Sequence, residues 1–118
     1  MNHTEFEAVV AATIAALPEW VRTALDNIDV LVEDEASARL DPEGEGSLLG
    51  LYVGVPLTER EGGNAGELPD VIYVFRKPHL ELGLPAAELR EEIAKTLIHE
   101  IAHYFGIDDD HLDEIGWG

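Results

Sequence analysis

His99-Glu100-Ile101-Ala102-His103 places two imidazoles and a carboxylate within one short stretch of chain. Residues four apart on a helix stand one above the other, so in helical form His99 and His103 can reach a single ion. Zinc accepts imidazole nitrogen at about 2.0–2.1 Å in a tetrahedral shell, and a carboxylate following the first histidine is placed to reach a water on that ion. Zinc lowers the pKa of such a water to about 7, so Glu100 can take its proton as general base while the metal polarises a peptide carbonyl. The pattern predicts one zinc (Zn2+) per chain and peptide-bond hydrolysis. The competing reading is two solvent-facing histidines flanking an ordinary helical glutamate, since the chain holds five His and abundant Glu.

The motif needs a helix, and one is predicted from other residues. Leu89, Ile93, Leu97 and Ile101 recur at steps of four over Pro85 to Phe105, and Gly106 follows as a left-handed cap. At the other end Phe6, Val9, Val10, Ile14 and Leu17 form the apolar stripe of an amphipathic helix that Pro18 closes. A short helical piece is predicted from Pro18 to Asp26. Ile28 to Val32, Leu48 to Val55 (interrupted by Gly50 and Gly54) and Val71 to Phe75 read as strands. Arg76, Lys77 and Pro78 after the third strand suit a sheet edge, because proline lacks the ladder donor and cations discourage further pairing. The segments 41–47 and 56–70 read as loops, the longer one mobile. Helices and strands are segregated, which predicts an α+β domain: a small mixed sheet of three or four strands, an N-terminal amphipathic helix and a C-terminal helix bearing the site.

Composition narrows the chemistry. At 118 residues the chain fits one domain, 1–118, with one core. The formal net charge of −18 repels nucleic acid phosphates and anionic membranes, so neither is expected as a partner. No apolar run approaches the roughly 20 residues of a membrane span. The apolar stretch Ala8 to Leu17 follows Glu5 and Glu7 where an export signal would carry cations, so a cytoplasmic protein is expected. There is no cysteine, so any metal must be held by His, Asp or Glu. From Thr96 onward the chain has six carboxylates and no Lys or Arg, an end that attracts cations.

Extended, the motif reads His99-Glu-Ile-Ala-His103-Tyr-Phe-Gly106-Ile-Asp-Asp109, which resembles the metzincin pattern HExxHxxGxxH with aspartate in the third ligand position. In length, element order and stretches such as Asp26-Asn27-Ile28 and Asp70-Val-Ile-Tyr-Val-Phe-Arg76, the chain is similar to the bacterial minimal zincin family from Phe6 to Trp117. The resemblance implies a zincin-like half-domain, with the strand ending near Arg76 beside the cleft and able to pair with an extended substrate. It also implies Asp109 as third ligand; by ligand chemistry His111 is the next candidate, with Asp108 or Asp110 behind it. Two features depart from the metzincins: the sole methionine is Met1, so there is no methionine turn, and Asp109 replaces their histidine.

Other residues are weighed in the same terms. His79 is read as a surface histidine, with approach to the metal from the strand side as its alternative. Tyr52, Tyr73 and Tyr104 are packing residues or oxyanion donors, and Trp20 and Trp117 are packing residues. Two functions follow: a monomeric zinc metallopeptidase acting on peptides or unfolded protein, or a non-catalytic metal-binding or peptide-binding module of the same fold. A third is an acidic interaction protein whose HExxH is incidental.

Overall fold

The computed structural model describes residues 1–41, 48–54 and 70–107. In order these form helix α1 (His3–Ala15), helix α2 (Glu19–Ala24) with a 3₁₀ turn (Leu25–Asn27), strands β1 (Ile28–Glu33), β2 (Gly50–Val53) and β3 (Asp70–Phe75), and helices α3 (Arg76–Leu80) and α4 (Ala86–Tyr104). The architecture is α+β. Asn2 starts α1 as a capping box, accepting from the Glu5 amide while Glu5 bonds back to the Asn2 amide. At the other end α4 closes in a Schellman motif. Gly106 has φ +81°, Ile107 N–H donates to the Ala102 carbonyl (2.9 Å) and Gly106 N–H to that of His103 (3.0 Å).

The described strands form one mixed sheet in the order β1-β3-β2, with β1 parallel and β2 antiparallel to β3. Ile28, Ile72 and Val74 are buried on the face that meets the helices, where Phe6, Val10, Leu89, Ile93, Leu97 and Ile101 complete the core. The apolar stripe of α4 is therefore consumed by packing, and its flank carries the motif to the β2 side of the sheet. Among the described residues no single helix is long and apolar enough to cross a membrane.

Two expectations are corrected here. The strand ending at Arg76 is central, paired on both sides, so it offers no free edge to a substrate; among the described strands the outer one beside α4 is β2. Arg76, Lys77 and Pro78 do not blunt an edge but open α3, where proline is tolerated because first-turn amides need no helical partner. The Arg76 guanidinium ties the end of β3 to Asp34 (2.9 Å) and to the Met1 carbonyl (3.1 Å).

The second correction concerns His79. It is no surface residue: α3 buries it completely, with Nδ1 2.6 Å from the Phe75 carbonyl and Nε2 2.9 Å from Thr96 Oγ1. A carbonyl only accepts, so Nδ1 carries the proton and Nε2 accepts from the threonine hydroxyl. Both ring nitrogens are thus engaged, and His79 does not join the motif histidines. Burial holds its pKa below the ordinary 6.5, against the pull of the Phe75 carbonyl and the Glu92 carboxylate toward the charged ring. The unfolded chain then binds this proton first as pH falls. The stability contributed by neutral His79 is full above about pH 7 and declines below 6.5, by up to about 1.4 kcal/mol per pH unit. Urea denaturation of metal-free protein from pH 7.5 to 5.5 should show this slope, and His79→Gln should flatten it. An equal slope in the variant would assign the effect to other groups.

Candidate metal centre

The motif lies in the last two turns of α4, on the flank that passes the edge of β2. One ligating atom from each of His99, Glu100 and His103 can be chosen so that all lie within 4.8 Å of one another. The two imidazole rings meet edge to face with centroids 4.6 Å apart. Both histidines are half-buried, whereas Glu100 is only 7% exposed. Glu100 Oε1 accepts from the Tyr52 backbone amide at 2.9 Å and lies 3.3 Å from His103 Nδ1.

β2 comes this close because residue 50 is glycine. A Cβ there would stand 2.7 Å from Thr96 Cγ2, 3.1 Å from the Tyr73 carbonyl oxygen and 3.3 Å from Glu100 Cγ. A side chain at position 50 would push the strand off the helix at the level of the motif. The cleft beside His99 and Glu100 has a volume of about 420 Å³, between α4 at Glu92, Lys95 and Thr96 and the chain entering β2 at Leu48 and Leu49. Asp41 completes its wall.

The donor set suits a borderline-soft divalent ion. The two imidazoles, with no thiolate in the chain, are ligand types that zinc accepts, and the Glu100 carboxylate stands beside them within reach of a group bound to such an ion.

Asp109, expected as the third ligand, lies outside the described residues, as do its alternatives His111, Asp108 and Asp110. Tyr104 packs: it is buried, its hydroxyl donates to the Ala24 carbonyl (3.4 Å) and its ring meets Tyr52 edge to face. Tyr73 stacks on Phe75. Trp20 departs from expectation, being 65% exposed with its ring tilted against Phe105. Trp117 lies outside the described residues. What the motif alone does not reveal is the backbone beside it, the Tyr52 amide and Gly50. The one sequence signal was a glycine inside an otherwise apolar strand, which marks close approach of another part of the chain.

A helix bearing His99-Glu-Ile-Ala-His103, packed on a small mixed sheet with its motif beside the outer described strand, defines a zincin-type half-domain. The chain belongs to the family of zincin-like metallopeptidases, whose profile matches residues 25–117. Its fold is similar to that of a conserved hypothetical protein from Thermus thermophilus, with a TM-score of 0.59 at 23% identity over 98% of this chain and 97% of that one. No curated protein matches the chain.

Proposed function

We propose that the protein is a zinc-dependent peptidase in which His99 and His103 hold the metal and Glu100 is the general base. The observation that supports this best is the placing of Glu100: a nearly buried carboxylate between two half-exposed imidazoles, opening on a cleft at a strand edge. Zinc, when bound, supplies Lewis-acid polarisation of a peptide carbonyl and makes water acidic enough to be deprotonated near neutral pH. The protein residues do the rest. Glu100 takes a proton from the attacking water and can return it to the leaving amine, the two duties of a positioned acid-base group. The cleft lined by Leu48, Leu49 and Thr96 offers space for a side chain of an extended peptide lying beside the motif. The substrate class is accordingly a peptide or an unfolded protein segment, taken by a single chain.

The test is metal analysis of protein purified without chelator or immobilised metal, followed by cleavage of a denatured protein with chelator and zinc re-addition controls. About one zinc per chain with cleavage that follows the metal supports the proposal. Zinc without cleavage leaves a metal-binding or peptide-binding module, and absence of stoichiometric zinc removes the metal reading.

A further inference from the structure

We infer that the Tyr52 backbone amide is a positioning group for Glu100, so that the edge of β2 holds the carboxylate in its place at the metal centre. The inference deepens the peptidase reading and rests on it for the catalytic consequence. Its starting point is ladder geometry. In an antiparallel pair, alternate residues turn their N–H and C=O toward the partner strand and away from it. The Leu49 carbonyl accepts from the Phe75 amide at 2.9 Å, and the register pairs Leu51 with Tyr73 and Val53 with Val71. Leu49, Leu51 and Val53 therefore face β3, while Gly50 and Tyr52 present their amides at the outer edge.

An outward amide on an edge strand ordinarily faces solvent or a further strand. The Tyr52 amide instead donates to Glu100 Oε1 at 2.9 Å, across 48 residues of sequence. The approach depends on Gly50, which leaves room for Glu100 Cγ and the Thr96 methyl against the strand. A glutamate has three rotatable bonds, and one left loose beside the ion would spend much of its time out of line with the attacking water. A charge-assisted hydrogen bond to a rigid backbone donor removes that freedom during folding, before any substrate arrives. Here the strand supplies the orientation and the side chain supplies the chemistry.

The test replaces one backbone N–H by oxygen. Replacing Tyr52 by its α-hydroxy acid analogue turns the amide into an ester, keeps the ring and removes no donor to β3; it weakens the Leu51 carbonyl as an acceptor from Tyr73, an effect that the Glu100→Gln background subtracts. In zinc-loaded protein we expect kcat to fall about 10- to 100-fold with KM within about threefold and zinc still near one per chain. On the Glu100→Gln background the same ester should cause no further loss. An equal loss on both backgrounds would overturn the positioning role, because the ester would then be acting on the fold.

A second readout does not depend on turnover. Amide hydrogen exchange at Tyr52 should be slow in the zinc-loaded protein and about 10- to 100-fold faster in Glu100→Ala, with the Leu51 amide unchanged as the check that the sheet is intact. Unprotected exchange at Tyr52 in the native chain, or protection that survives in Glu100→Ala, would overturn the inference. If native protein holds zinc but cleaves no peptide, the peptidase reading fails on that result alone. The exchange rates still decide whether the amide holds Glu100.

Discussion

Glu100→Gln is expected to lower peptide turnover by about 10²- to 10⁴-fold while zinc affinity stays within about tenfold of the native value. The structure explains why this substitution is the informative one. Glu100 is nearly buried and its Oε1 accepts from the Tyr52 amide; a glutamine carbonyl oxygen accepts the same bond. Glutamine also matches glutamate in length and in helix propensity, so α4 and the seating of β2 on it are preserved. What is lost is the capacity to take a proton. The comparison is between zinc-loaded native protein and zinc-loaded Glu100→Gln on one denatured substrate, with metal content measured on the same samples. Loss of zinc together with turnover would make Glu100 a ligand, and equal cleavage by both would remove it from the mechanism.

The second large effect is expected from the double change His99→Ala and His103→Ala, which should reduce zinc from about one per chain to less than about a tenth. Both imidazoles are half-buried, on a different flank of α4 from the buried Leu97 and Ile101. Their removal therefore costs the metal and leaves the core packing in place. A ligand that binds only the folded state stabilises it by RT ln(1 + [L]/Kd), about 2.7 kcal/mol at a free concentration one hundred times Kd. Added zinc should accordingly raise the native protein's thermal midpoint and leave that of the double variant unchanged. Without metal the two midpoints should lie within a few degrees of one another. Retention of stoichiometric zinc by the double variant would place the metal on other residues.

The two comparisons answer different questions. The histidine pair decides whether the motif is a metal centre, and Glu100→Gln decides whether that centre does chemistry. A binding module passes the first and shows the same negligible turnover with glutamate or glutamine at position 100. Family membership and the His99, Glu100, His103 grouping bear on the metal, whereas hydrolysis depends on the alignment of one carboxylate.

Local chemistry was legible in the residues themselves. Steps of four from Leu89 to Ile101 define a helix whatever surrounds it, and a helix places His99 over His103 by its own pitch. Gly106 ended that helix as expected, because a left-handed residue closing a Schellman motif favours glycine. The apolar runs of β1, β2 and β3 marked strands, since β-branched and aromatic residues suit a pleated, half-buried surface.

Tertiary structure decided the neighbours. Which strand is central depends on hydrogen-bonding sides covered by distant chain, so Pro78 and its two cations, taken for an edge signal, instead begin α3 behind a strand paired on both sides. His79 carries no mark of burial in its own sequence; packing under α4 gave it Thr96 and the Phe75 carbonyl as partners. The motif specified which residues gather, because four-residue spacing is a property of one helix. Where Glu100 points was decided by a strand 48 residues away, since orienting a flexible side chain takes a fixed donor outside its own helix, and here that donor is the Tyr52 amide.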